Sequence, residues 1–384
     1  MELKINGFLA TGVSSGIKKD RRPDLGLIYS EKPSSVAAVF TKNRVKAAPI
    51  IVCQSHLNMN KGRARAIVVN SGNANACTGS KGIEDAIRTS QLIAETLGIE
   101  RKEVLVASTG IIGKRLDIEL ISKAVPKLIS TLSPDGFKRF AEAIMTTDTF
   151  PKISSFEGRG FKIIGIAKGA GMIMPNMATM LCFILTDIKI EPESLKNLLL
   201  RVVDETFNRI SVDGDTSTND TVIAMANGSA GEKDINDLRE GLFKVCDELA
   251  RMIVKDGEGA TKLVDIIVKG AKSSSDAINA AKAVANSLLV KTAIHGGDPN
   301  WGRIIAALGR SEIEIEPDYV DIWIDDVQIV SSGQSTGKEV AASERMKKDE
   351  FKIVIELKKG PYQDHILTCD LSSDYVRINS EYTT

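Results

Sequence analysis

Two short apolar runs, each ending in a turn of small polar residues, constrain this chain more than any other feature. Residues 65–70, RAIVVN, run into Ser71-Gly-Asn-Ala-Asn, and residues 104–107, VLVA, run into Ser108-Thr-Gly. Their length and β-branched content predict buried strands. Between them, Ile83, Ala86, Ile87, Leu92, Ile93, Ala94 and Leu97 recur at near-helical spacing and predict a helix over 80–97. The first half therefore reads as α/β. Further strands are expected at 37–41, 50–53, 161–167, 221–226 and 263–268. Further helices are expected at 118–132, 135–145, 192–207 (with Pro192 at its start), 238–254 and 273–286. Beyond about residue 285, period-2 runs at 313–316, 320–324 and 351–357 predict a smaller α+β domain over 285–384.

Composition narrows the function classes. The 50 basic and 50 acidic residues cancel, so no general field draws the chain to nucleic acid or an anionic membrane. The short basic run from Lys18 to Arg22 reads as a solvated loop. Five scattered cysteines with no CxxC pair argue against a disulfide framework or a zinc site and fit a reducing, cytoplasmic compartment. Neither a signal-peptide core nor 18 consecutive apolar residues is visible. The three histidines, His56, His295 and His365, stand in no motif with a neighbouring carboxylate, which steers away from a Ser-His-Asp hydrolase.

The most chemically suggestive segment is Lys168-Gly-Ala-Gly-Met-Ile-Met-Pro-Asn-Met-Ala-Thr179, followed by the apolar run TMLCFILTD over 179–187. A glycine-rich loop with a Pro-Asn turn feeds a central strand. A β-branched hydroxyl residue at the head of a buried strand is held still. On pattern alone this is a plain turn as readily as a nucleophile. Two other motifs fail on inspection. The acidic cluster 213–220, DGDTSTND, lacks the order of a calcium loop and reads as a hydrogen-bonded loop. Ser332-Gly-Gln-Ser-Thr-Gly-Lys338 has the wrong glycine spacing for a phosphate loop.

Along essentially its whole length the chain resembles the ornithine acetyltransferase family, also called bifunctional glutamate N-acetyltransferases. The resemblance rests on MATML around Thr179, SGNANACTG at 71–79, ASTGIIG at 107–113, MTTDTFPK at 145–152, DGDTSTND at 213–220, KDGEGATK at 255–262 and GGDPNWGR at 296–303. It implies a layered sandwich of mixed sheets flanked by helices, like the fold of self-processing acetyltransferases and aminopeptidases. It also implies autocatalytic cleavage between Ala178 and Thr179, giving chains 1–178 and 179–384 that assemble as a heterotetramer of two of each. Thr179 would then be the nucleophile. Thr109 and Gly110 would form the oxyanion hole. Thr146, Thr147, Lys168, Thr179, Glu258, Asn379 and Thr384 would contact substrate, with Lys168 on its carboxylate and Glu258 on its amine. The implied reaction is ping-pong acetyl transfer from N2-acetyl-L-ornithine to L-glutamate in arginine biosynthesis. It needs no metal or organic cofactor. Acetyl-CoA is left open as a second donor, although no phosphate-cradling loop is visible. The alternatives are a self-processing aminopeptidase or amidase, and a binding protein that never cleaves.

Overall fold

The computed structural model describes residues 3–174 and 180–381. The expected scissile bond, Thr179 and Thr384 lie outside these described residues. The strands are β1 (Phe8–Val13), β2 (Leu25–Phe40), β3 (Arg63–Asn73), β4 (Val104–Ile111), β5 (Lys152–Gly158), β6 (Phe161–Lys168), β7 (Leu181–Ile188) and β8 (Ile210–Ser211). There follow β9 (Thr221–Gly231), β10 (Leu263–Ala271), β11 (Asp321–Ile324), β12 (Val327–Ser331), β13 (Gln334–Ser335), β14 (Glu350–Glu356) and β15 (Tyr362–Cys369). The helices are α1 (Ala48–Met59), α2 (Gly79–Leu97), α3 (Ile118–Ser130), α4 (Phe137–Ile144), α5 (Pro192–Glu205) and α6 (Ile235–Lys255). In the later chain they are α7 (Ser274–Ala285), α8 (Leu288–Gly296), α9 (Trp301–Gly309), α10 (Glu339–Met346) and α11 (Ser373–Glu381). No helix among the described residues is long and apolar enough to cross a membrane.

The chain divides into two compact units. The first holds the chain up to Asn208 together with Asp215–Ile253. Its mixed sheet runs β4-β3-β2-β9-β7-β6-β5, with β1 added to β2. Every residue of β7 is buried, as a strand covered on both faces requires. Strand β2 shifts register between Tyr29 and Ser34, where Ser34 Oγ donates to Ser30 Oγ at 2.9 Å. Its Leu25 end pairs with Asn70 of β3, and its Phe40 end pairs with Thr221 of β9. Yet Asn219 Nδ2, just before β9, donates to the carbonyls of Ala74 (2.7 Å) and Ser108 (2.8 Å), at the far ends of β3 and β4. The sheet must therefore double over along β2, which makes this unit layered. Helix α4 packs on β1 and β2, where Phe140 lies over Gly26 and meets Phe183 edge-on at 5.5 Å.

The second unit gathers Arg209–Gly214 with the chain from Val254. Its sheet runs β13-β12-β11-β14-β10-β15-β8, and α7 covers β10 and β15 with Ala277, Ala280, Ala281 and Val284 fully buried. Both units mix parallel and antiparallel pairs beside helices, so the α/β reading with mixed sheets holds.

Two local expectations fail. Residues 50–53 lie in helix α1, not in a strand: Pro49 occupies its first turn, where its missing N–H costs nothing, and IIVC simply continues the helix. Residues 313–316 form no strand.

Candidate active site

Within the first unit, β6 ends at Lys168, which stands in register with Leu181 at the start of β7; Leu181 in turn pairs with Thr221 at the start of β9. One row across the sheet thus places Lys168 beside the strand head that follows Thr179 in sequence. The Lys168 side chain is buried, and its Nζ donates to Thr146 Oγ1 at 2.7 Å and Thr109 Oγ1 at 3.4 Å. Three expected site residues, 22 and 59 positions apart from the lysine, therefore meet at one ammonium. Thr147 follows Thr146 and is half-buried. Beside Thr109, Gly110 has φ +130, and a Cβ there would lie 2.4 Å from the Gly72 carbonyl carbon. Only glycine lets the ends of β3 and β4 approach so closely.

A residue not singled out from the sequence organises this cluster. The Asp148 carboxylate is buried and accepts from Lys152 Nζ (2.7 Å), Gly169 N (2.6 Å) and Thr146 N (2.9 Å), with Lys168 Nζ at 3.9 Å. Burial pushes this carboxyl up, but Lys168 and Lys152 outweigh it and hold it far below the usual carboxylate range. Asp148 ties together Thr146, the end of β6 and the first glycine of the loop before Thr179. Its signal was the MTTDTFPK block, where the threonines drew attention first. In the following loop Met172 adopts φ +60, a left-handed conformation that is strained for such a side chain.

Lys18 departs from its reading as a solvated residue. Its Nζ donates to the carbonyls of Met145 (2.7 Å) and Pro23 (3.0 Å). Burial first, and then Arg22, lower it to about 8 against the pull of Asp24 and Asp20, and the charge of Lys168 adds to the lowering. The 213–220 segment is hydrogen-bonded as expected. Thr41 Oγ1 donates to Ser217 O at 2.8 Å, and Thr218 O accepts from Ala47 N at 2.9 Å.

In the second unit, Asn379 on α11 donates to Glu258 Oε2 at 2.8 Å, so these two expected contacts lie together. The small residues around Glu258 serve the chain itself: a Cβ on Gly259 would lie 2.5 Å from Tyr375 N at the start of α11. His295 has a carboxylate partner that no local motif announces. Its Nδ1 lies 2.7 Å from Asp370 Oδ2, a partner 75 residues away. Burial opposes ionisation of Asp370, but Thr261, His295 and the Lys262 amide hold its carboxyl below its ordinary value. Among the described residues, no group of three or more His, Cys, Asp or Glu side chains is arranged to hold a metal ion.

Comparison with known proteins decides the family. The ArgJ family model matches residues 9–384. The chain belongs to the ArgJ family. It is 49% identical over 395 residues to the arginine biosynthesis bifunctional protein ArgJ of Geobacter sulfurreducens, covering 100% of both chains. It is also 49% identical over 397 residues to the glutamate N-acetyltransferase of Methanocaldococcus jannaschii, covering 98% of this chain and 97% of that one. A crystal structure of the bifunctional protein ArgJ from Bacillus halodurans is 41% identical, with TM-score 0.49, covering 51% of this chain and 96% of that one.

Proposed function

We propose that the chain cleaves its own Ala178–Thr179 bond and then uses Thr179 to carry acetyl from N2-acetyl-L-ornithine to L-glutamate, a step of arginine biosynthesis. The observation that carries this reading is the buried Lys168 ammonium held by Thr146 and Thr109 beside the head of β7. A fixed, desolvated cation ringed by hydroxyls suits an α-carboxylate, and both acetylornithine and glutamate carry one. The names of the full-length relatives in Geobacter and Methanocaldococcus support the same reading.

Cleavage gives Thr179 a free α-amine. Such a group ordinarily titrates at roughly 7.7–8.0, so at neutral pH a useful fraction accepts the Thr179 hydroxyl proton. The alkoxide attacks the acetyl amide, and Thr109 Oγ1 with the Gly110 amide stabilises the oxyanion. Ornithine leaves, glutamate enters, and its amine takes the acetyl from the ester. Thr146, Thr147, Glu258, Asn379 and Thr384 are proposed contacts to the two amino acids. The five cysteines are all unpaired thiols, in keeping with a cytoplasmic location, and two copies of each chain are the proposed assembly.

The test is mass spectrometry on purified enzyme under denaturing conditions. Two fragments, 1–178 and 179–384, are expected. Acetylornithine alone should add one acetyl group, about 42 Da, to the fragment that begins at Thr179, and glutamate should remove it as acetylglutamate. Thr179→Ala should neither cleave nor label. Discharge by water as fast as by glutamate would make the enzyme an amidase, and labelling of Thr179→Ala would remove the nucleophile assignment.

A further inference from the structure

Self-cleavage needs a base that the mature enzyme's α-amine cannot supply, because in the uncut chain that nitrogen is the scissile amide. The parallel strands β7 and β9 enter the sheet side by side, with Leu181 paired to Thr221. The residues just before them, Met180 and Asp220, are therefore neighbours. Met180 N donates to Asp220 Oδ1 at 3.0 Å, and Thr221 N donates to Met180 O at 3.1 Å. Met180 N is the amide bonded to the Thr179 carbonyl carbon, so one oxygen of Asp220 is anchored one peptide unit from the proposed nucleophile. The other, Oδ2, is buried and has no hydrogen-bond partner among the described residues. A buried carboxylate oxygen without a donor is costly and rare in native proteins, which makes it a marker of function.

We propose that Asp220 is the general base of self-cleavage, an inference that rests on the cleavage reading above. Asp220 Oδ2 takes the proton of the Thr179 hydroxyl as Oγ bonds to the Ala178 carbonyl carbon. The Ala178–Thr179 C–N bond breaks and the same proton passes to the departing amine. This leaves Ala178 esterified to Thr179 Oγ. Water then hydrolyses the ester to an Ala178 carboxyl and restores the hydroxyl of Thr179, now with a free amine. No oxidant, metal or further reactant enters the balance.

Electrostatics fit this role. Burial raises the Asp220 carboxyl well above the usual carboxylate range, against the Met180 N–H, the Thr41 hydroxyl, the Lys168 charge and the Ser217 amide. Lys168, from β6, is the charged group acting on it; the facing groups from β7 and from the segments around Thr41 and Ser217 are neutral. A base with a raised value matches proton transfer near neutrality better than an ordinary aspartate does.

The test compares wild type with Asp220→Asn and Asp220→Glu, each made by cell-free translation of the full chain and followed by denaturing mass spectrometry. Asn keeps an oxygen for Met180 N but cannot take a proton. Fragments should appear on the order of 10²–10⁴-fold more slowly in Asp220→Asn, the usual contribution of a general base, and faster again in Asp220→Glu. Melting of Asp220→Asn at or above the wild-type temperature would separate lost chemistry from lost fold. Should that variant fail to fold, the wild-type pH profile decides. Chased between about pH 5 and pH 8, cleavage should accelerate through one ionisation above the ordinary carboxylate range. Wild-type-rate cleavage by Asp220→Asn, or a flat profile, overturns the assignment while leaving the function reading intact. An uncut wild-type chain overturns both.

Discussion

Two aspartates in the first unit carry opposite electrostatics for identifiable reasons. Asp148 sits against two lysines and is held far below its ordinary value, whereas Asp220 is pushed up by burial, which outweighs the neutral donors around it and the charge of Lys168. Asp148 therefore predicts a stability effect. Replacing it with Ala strips the fully buried Lys152 of its carboxylate, and breaking such a pair costs about 3–5 kcal/mol. The sign of the pH dependence follows from the depressed folded-state value. The Asp148 contribution is complete above the unfolded value of 3.8 and is lost as pH falls through the lower folded value. Urea midpoints of wild type and Asp148→Ala should differ by a constant amount from neutral pH down to the carboxylate range and converge only below it. Equal midpoints at neutral pH would show that Lys152 does not depend on this partner.

At the scale of elements, the long periodic segments were legible because their patterns are local. The apolar run after Thr179 is the fully buried β7, and Pro192 opens α5. Strand β2 was legible only at its Phe40 end, since its middle carries the exposed Glu31-Lys-Pro at the corner where the sheet turns over. Helix α1 was hidden because IIVC suits a strand and a helix equally well, and tertiary packing of Cys53 on the Val106 carbonyl chose between them. The candidate site was legible through family motifs, but its wiring was not. Asp148, Asp220 and the His295–Asp370 pair depend on contacts across strand ends or across 75 residues of chain. Gly110 gives the element-level prediction. Its φ of +130 and the backbone 2.4 Å from a would-be Cβ mean that Gly110→Ala forces β4 away from β3. A loss of at least about 1–3 kcal/mol is expected from the strained backbone alone. Guanidinium unfolding checks it, and an Ala variant as stable as wild type would show that the ends of β3 and β4 do not need this approach.

On the scale of the whole chain, the proposed cut falls where the sheet of the first unit interleaves the two products. Strands β1 to β6 precede residue 178, while β7 and β9 follow it. The order β4-β3-β2-β9-β7-β6-β5 places the two later strands between earlier ones. Strand β7 pairs with β6 from Thr186↔Ile163 to Leu181↔Lys168, and β9 pairs with β2 from Ala226↔Ser35 to Thr221↔Phe40. Two backbone seams thus hold the fragments, one on each side. The same core packs Ile164 and Ile166 from before the cut with Leu181, Phe183, Leu185, Ile223 and Met225 from after it. Each such side chain contributes about 1.5–3 kcal/mol when fully buried. Cleavage of one loop bond removes none of these contacts, so fragments 1–178 and 179–384 should elute as one species from size exclusion. Raising the salt to about 1 M, where the Debye length is about 3 Å, should not part them, because neither ladder pairing nor apolar burial depends on surface charge. They should separate only in denaturant, together with loss of the sheet's far-UV signal. Resolution of two folded fragments in high salt would mean that the seams on either side of β7 and β9 are not what joins them.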